Sequence, residues 1–113
     1  MKRILLPITL ALSASILTAF AIAPFKGKSP AEYANDPTSD LSGADRDFIT
    51  AAAQEDAIHE LEKNPKAYKG KKSHEISKIG EARALRHKLR ASDATRYDLA
   101  FTSAIEALET QYQ

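Results

Sequence analysis

Hydrophobic and polar positions divide the chain into an uncharged N-terminal stretch and a polar remainder with helical periodicity. The stretch from Ile4 to Ala23 contains no charged residue, follows Lys2 and Arg3, and ends at Pro24. In the C-terminal two thirds of the chain, apolar residues recur at spacings of three and four, the period of an amphipathic helix. No segment sustains the alternation of apolar and polar residues that is typical of a strand. The pattern therefore predicts an all-α protein.

Three helices are predicted in the C-terminal region, residues 42–113, at about 43–63, 74–91 and 94–112. The first is rich in alanine, which has the highest helix propensity. We expect it to end at Asn64-Pro65, because the residue before a proline disfavours the helical conformation. Short connections between the helices predict a small three-helix bundle, or a helical hairpin plus one further helix.

Apolar stripes identify candidate packing faces on the second and third predicted helices. The stripe of the second helix consists of Ile76, Ile79, Ala82, Leu85 and Leu89. The third helix follows a break at Ser92-Asp93, and its stripe consists of Tyr97, Phe101, Ala104, Ile105, Leu108 and Tyr112. Because this last stripe is the more regular of the two, we expect it to form either part of the core or a seam for a partner.

An extended linker is predicted between the N-terminal stretch and the helices. Residues 24–41 contain three prolines together with serine, asparagine and aspartate, and they show no helical period. Such a linker would hold the helical domain away from a membrane surface. The chain is therefore divided into residues 1–23, 24–41 and 42–113.

The N-terminal stretch has the three parts of a secretory signal peptide. A basic head is followed by an apolar middle and by small-x-small triplets suited to cleavage. The triplet Ala19-Phe20-Ala21 is preferred, because cleavage after the next triplet would place Pro24 directly after the cut. Cleavage after Ala21 would leave Ile22 as the first residue of the mature chain.

A single retained transmembrane anchor is the alternative for residues 1–23. The uncharged run has about the 20 residues that are needed to cross the hydrocarbon core of a bilayer. Small residues spaced by four lie on one helix face and let membrane helices approach closely. The candidate packing stripe of this anchor consists of Ala11, Ser15, Ala19 and Ala23.

Charge alternates in blocks along the chain, although the formal net charge is only +1. Residues 31–62 are strongly acidic, residues 63–90 contain ten basic and two acidic side chains, and residues 91–113 are mildly acidic. The basic block either pairs with the acidic helices on both sides or binds an anionic partner. The candidate interaction surface within it consists of Lys69, Lys71, Lys72, Lys78, Arg83, Arg86, Lys88 and Arg90.

Motifs that carry chemistry are not evident in the sequence. His59 and Glu62 lie one helical turn apart, but two ligands do not make a specific metal site. The carboxylates of Glu55 and Asp56, and those of Glu60 and Glu62, are interpreted as a solvated helix face. The sequence contains neither a nucleophile elbow nor a glycine-rich phosphate loop. We therefore predict no enzymatic activity, no cofactor and no metal.

Export without cysteine limits how the domain is stabilised. Small exported domains often rely on disulfides, and this chain contains no cysteine. Its stability must come from helix packing, from a membrane anchor or from a partner. The expected location is the bacterial envelope, either free in the periplasm or anchored in the inner membrane with the C-terminal domain in the periplasm.

These features favour a small non-enzymatic envelope protein that acts as an accessory or interaction subunit and is either periplasmic or held by its N-terminal helix in a larger complex. A protein partner or a homo-oligomer is expected, and anionic lipids and envelope polymers are further candidate partners. Neither nucleic acid nor a small-molecule substrate is expected. The alternative is a soluble periplasmic binding module, such as an inhibitor, an immunity-type protein or a holdase-like stress protein, released by cleavage after Ala21.

Overall fold

Four helices make up the described part of the chain, residues 22–112 of a computed structural model. In chain order they are α1 (Pro30–Asn35), α2 (Arg46–Lys63), α3 (Ser73–Arg86) and α4 (Ala91–Tyr112). No strand is present within these residues, so the prediction of a mostly helical protein is confirmed.

The predicted membrane-directed helix falls almost entirely outside the described residues. Three members of its candidate packing stripe, Ala11, Ser15 and Ala19, lie in that outside part. The fourth member, Ala23, is exposed and is not helical. Between residues 22 and 112, no helix combines the length and the apolar character that a bilayer crossing requires.

Residues 24–41 fold onto the helices, which corrects the prediction of an extended linker. A tight turn joins the backbones of Phe25 and Lys28 through two hydrogen bonds of 2.9 Å. Helix α1 follows, and the hydroxyl of its N-cap Ser29 accepts a hydrogen bond from the Glu32 N–H. Pro30 occupies the first turn of α1, where a proline is tolerated because its missing N–H needs no partner. Pro30 therefore begins a helix here instead of breaking one.

Aromatic packing fixes this N-terminal segment to α2. The rings of Phe25 and Phe48 lie 5.5 Å apart, and the ring of Tyr33 meets that of Phe48 edge-on at 5.7 Å. Further along, the backbone N–H of Leu41 donates to the carbonyl of His87, at 2.9 Å, and Leu41 is fully buried. The segment is therefore part of the same core as the three longer helices.

All three predicted helices have a different end in the structure. The predicted break at Ser92-Asp93 is wrong, because both residues lie in α4, which begins at Ala91. Helix α2 begins at Arg46, because the carboxylate of Asp45 accepts a hydrogen bond from the Phe48 N–H at 2.9 Å and caps the helix. Helix α3 ends at Arg86 instead of residue 91. Lys88 adopts a positive φ of 61°, and the N–H of Leu89 bonds back to the Ala84 carbonyl, which is the bonding pattern of a Schellman motif.

Helix α4 lies at the centre of the fold and packs against both α2 and α3. The charge blocks predicted that the second long helix would lie between the first and the third, and this arrangement is wrong. Helices α3 and α4 run antiparallel: Ser73 bonds to Glu106, and Ser77 bonds to Asp98 at 2.6 Å. The centre is occupied by α4 because it presents the longest apolar face, with the aromatic ring of Phe101 fully buried.

The buried face of α3 differs from its predicted stripe. Ile76, Gly80 and Ala84 are buried, whereas Ala82 is exposed and Leu85 is 73% exposed. The other members of the stripe are Ile79, which is half-buried, and Leu89, which is buried beyond the end of the helix. Small residues face α4 because the two backbones approach closely: a Cβ at position 80 would lie 3.3 Å from the Cα of Asp98.

We predict that Gly80→Ala destabilises the protein. The added methyl group would lie 2.6 Å from Asp98 Oδ1 and 3.2 Å from the Phe101 ring, so the Asp98 carboxylate must leave its hydrogen bonds. Overpacking of this kind costs about 1–3 kcal/mol, against a gain of about 1 kcal/mol in helix propensity. We expect a net loss of about 1 kcal/mol in the free energy of unfolding, measured by urea titration with circular dichroism.

The matched control for this substitution is an isolated peptide that covers α3. There the neighbouring helix is missing, so Gly80→Ala should increase helicity. An increase in stability in the intact protein as well would show that the close α3–α4 contact does not constrain position 80.

Candidate functional site

The fold disperses the eight predicted basic residues. Helix α3 has 14 residues and is therefore about 21 Å long. Lys69, Lys71 and Lys72 precede its N-terminus, whereas Arg86, Lys88 and Arg90 lie at its C-terminal end, and Lys78 is exposed between them. The remaining member, Arg83, faces the interior. The basic block is therefore divided into two exposed groups of three, one exposed lysine between them, and Arg83 in an internal ion pair.

Arg83 joins α3 to α2 through two carboxylates. Its Nη1 lies 3.1 Å from Asp56 Oδ1, and its Nη2 donates to Glu60 Oε2. The other oxygen of Asp56 accepts a hydrogen bond from the hydroxyl of Tyr97 on α4. Asp56 is only 1% exposed, so its charge needs these partners to offset the loss of water. The interpretation of the α2 carboxylates as a solvated face is wrong for Asp56.

Burial and neighbouring charges set the protonation of two tyrosines and one arginine in this cluster. Burial raises the pKa of Tyr97, and the neighbouring Asp56 charge raises it further. Burial likewise raises the pKa of Tyr68, with an added contribution from Glu60. Burial alone would lower the pKa of Arg83, but Asp56 and Glu60 outweigh it and raise that pKa above its usual value. At neutral pH both phenols are therefore protonated and Arg83 is charged.

His87 closes the cluster on the side of the N-terminal segment. Its Nδ1 lies 2.8 Å from the Ser39 carbonyl oxygen, which can only accept, so Nδ1 carries a proton. Its Nε2 faces Asp56 Oδ2 at 3.9 Å. His87 and Tyr97 are fully buried. Because the acid, the phenol and the imidazole are all closed to solvent, we interpret the cluster as a structural joint of the four helices.

The signal that identifies this cluster is present in the sequence, but it is weak. Asp56 lies on the α2 face that also carries the buried residues Ala52, Ala53 and Ala57, so it interrupts an apolar face. A charge in such a position requires a partner, and the partner Arg83 is 27 residues away. Nothing in the local spacing of the basic block distinguishes Arg83 from the other cations.

The highest density of exposed positive charge lies at the last residue of α2 and in the connection to α3, and we call residues 63–72 the lysine loop. Its five lysines, Lys63, Lys66, Lys69, Lys71 and Lys72, are all exposed. Within residues 22–112 none of them forms an ion pair. Within the basic block, Arg83 and Arg90 form ion pairs with acidic residues of the same chain. The lysines of the lysine loop form none within the described residues.

The lysine loop has a defined conformation because Tyr68 anchors it to the cluster. Tyr68 is 2% exposed, its hydroxyl donates to Glu60 Oε1 at 3.3 Å, and its ring meets that of Phe101 edge-on at 6.3 Å. Successive turns are closed by backbone hydrogen bonds, including Lys71 N–H to the Tyr68 carbonyl at 3.1 Å. Gly70 supplies the positive φ of 79° that one turn requires. The five ammonium groups thus project from a fixed backbone.

The remaining sequence candidates are placed as follows. The third-helix stripe lies in the core, with Tyr112 half-buried at the end of α4. His59 Nδ1 lies 3.9 Å from Glu62 Oε1. The described part of the chain contains no group of three or more side chains positioned to bind a metal ion.

We predict that Arg83→Gln costs about 3–5 kcal/mol of stability, because it leaves Asp56 buried with an unpaired charge. Chemical unfolding at neutral pH measures this loss. Arg86→Gln is the matched control, since it removes the same charge from an exposed position three residues away. The control should change stability by less than about 0.5 kcal/mol. Equal effects of the two substitutions would contradict the structural role of Arg83.

We predict that Tyr97 makes the protein sensitive to alkali. Burial raises the pKa of Tyr97 in the folded protein above the usual value for tyrosine, about 10. A raised folded pKa gives stabilisation that is complete below the unfolded pKa and is lost as pH rises above it. Because of Tyr97, the free energy of unfolding of the wild type should therefore fall by up to about 1.4 kcal/mol per pH unit above about pH 10. Tyr97→Phe should lack this part of the slope while losing about 1–3 kcal/mol at neutral pH.

The measurement is urea unfolding of both proteins between about pH 8 and pH 11. Lysines and the other tyrosines titrate in both proteins, so the difference between the two curves isolates Tyr97. Parallel curves would show that Tyr97 ionises equally readily in the folded and unfolded states.

Comparison with known proteins supplies no family for this chain. No protein-family model matches it, and no curated protein or solved structure does. The function must therefore be inferred from three features of the chain itself: the uncharged N-terminal stretch, the packing of Ile22 against the core and the lysine loop.

Proposed function

We propose that this chain is a small, non-enzymatic protein of the bacterial envelope, which acts as an accessory or interaction subunit. Residues 4–23 direct it to the membrane and keep it there, and the helical domain lies in the periplasm. The uncharged stretch supports the membrane location. The observation that carries the proposal is the packing of Ile22 and of the segment after it against the helices.

Ile22, near the C-terminal end of the membrane-directed stretch, is half-buried and packs against the hydrophobic core. Together with Asp47, Thr50, Ala51 and Gln54 it lines a small pocket on the N-terminal half of α2. Residues 24–41 therefore do not act as a free tether between Ile22 and the helices. A retained anchor would hold the domain directly against the bilayer, where it can join a membrane complex.

The second candidate is a soluble periplasmic binding module, such as an inhibitor, an immunity-type protein or a holdase-like stress protein. Cleavage after Ala21 would make Ile22 the first residue, and the mature chain would then begin with a side chain that packs against the core. The two candidates differ in one covalent fact, which is whether residues 1–21 remain attached.

Two features of the folded domain support an interaction role. Leu85 on α3 and Leu99 on α4 are 73% and 62% exposed, which is high for large apolar side chains. Single exposed leucines are common on soluble proteins, so they are the weaker argument. The lysine loop is the stronger one, because five unpaired charges on a rigid loop are available to an anionic partner.

We predict that intact-mass measurement of the natively produced protein finds residues 1–21 attached in the membrane fraction. A soluble envelope species that begins at Ile22 would establish the alternative function. Ala21→Leu is the control: it removes the small residue before the cut, so it should abolish any processed species and leave a retained anchor unaffected. An unprocessed chain in the cytosolic fraction would contradict both candidates.

A further inference from the structure

We propose that the lysine loop docks the domain on an anionic phospholipid surface by binding headgroup phosphates. This inference rests on the proposed function, which places the chain at an envelope membrane. It goes further by naming the partner and the residues that bind it.

Unpaired charge is the first argument. Positions 63–72 carry five exposed lysines and no acidic residue. Two exposed acids flank the loop, Glu62 and Glu75. A hydrogen bond of 2.9 Å from the Lys72 backbone N–H to Glu75 Oε1, together with the charge of Lys71, holds the pKa of Glu75 below its usual value, so this carboxylate stays negative. Five lysines against these two carboxylates still leave a net positive charge that an anionic surface can neutralise.

The type of cation is the second argument, and it favours lipid over protein. All five charges are lysines, whereas protein interfaces are enriched in arginine and aromatic residues and depleted in lysine. The aromatic residue of the loop, Tyr68, is turned into the core and is not offered to a partner. Lysine is a mobile point charge that suits a dense, irregular array of phosphates, and clusters of it are attracted to anionic membrane surfaces.

Position is the third argument. Ile22 lies beside Thr50 on the N-terminal half of α2, and the loop begins at the C-terminal end of the same helix. The helix between them rises about 1.5 Å per residue, which separates the two points by about 20 Å. The loop can therefore engage headgroups that are well away from the point where residues 1–21 join the domain, and it adds a second, independent membrane contact.

The test uses the full chain in nanodiscs of neutral phosphatidylcholine, mixed with sedimentable vesicles. Vesicles that contain phosphatidylglycerol should pull the protein down, and pure phosphatidylcholine vesicles should not. Binding should weaken as sodium chloride is raised. A loop variant in which all five lysines are replaced by glutamine should bind at least about tenfold more weakly.

The matched control variant carries five substitutions to glutamine elsewhere and has the same net charge. It changes the exposed residues Lys26, Arg46, Arg86, Lys88 and Arg90. Its binding should stay within about twofold of wild type, and circular dichroism should show that both variants are folded.

Three outcomes would overturn the proposal. The first is equal binding of the wild type to neutral and anionic vesicles. The second is an equal loss of binding in the loop and control variants, which would assign the effect to net charge alone. Displacement by inorganic phosphate, beyond that by chloride at equal ionic strength, would indicate a small phosphate site instead of a membrane surface. A chain that fractionates with the envelope but fails these tests would retain the proposed function and lose only this inference.

Discussion

The ion pair between Asp56 and Arg83 is the interaction on which the described fold depends. Helices α2 and α3 each pack on α4, and the long side chain of Arg83 spans the distance between them. Asp56 is 1% exposed and also accepts the Tyr97 hydroxyl, so all three long helices meet at one carboxylate. A buried pair is weak evidence for net stability, but removal of one partner is strongly destabilising. The pair thereby selects this arrangement of helices over other packings of the same apolar faces.

The packing of α2 and α3 on opposite sides of the Asp56–Arg83 pair also determines which cations remain exposed. The basic block could have been neutralised by the acidic residues of α2 if α3 had packed along it. Instead α4 occupies that position, and Arg83 alone reaches the carboxylates of Asp56 and Glu60. The lysine loop is left without ion pairs within the described residues. In this fold Arg83 forms the ion pairs between α3 and α2, and the lysine loop remains exposed.

The all-α class and the apolar stripe of α4 could be predicted from the sequence. Both depend on helical periodicity, which involves only residues a few positions apart. Helix α1 was missed because Ser29 and Pro30 act together as a cap and a first turn, whereas prolines in a polar segment suggest a linker. The early end of α3 depends on a left-handed lysine at position 88, where glycine would be the usual signal. The buried role of Asp56 is signalled only weakly, because its partner Arg83 lies 27 residues away.

The buried cluster and the exposed loop are connected through Glu60. Its two oxygens bind different groups: Oε2 accepts from Arg83, and Oε1 accepts from the Tyr68 hydroxyl. The ion pair that joins the helices therefore also holds the tyrosine that anchors the lysine loop. Because five like charges repel one another, a loop without this anchor would spread them apart and lower the local potential. Fixing the backbone instead keeps the charges concentrated, and an anionic surface that neutralises them relieves the repulsion. The stability of the core and the charge density of the surface are in this way consequences of the same contacts.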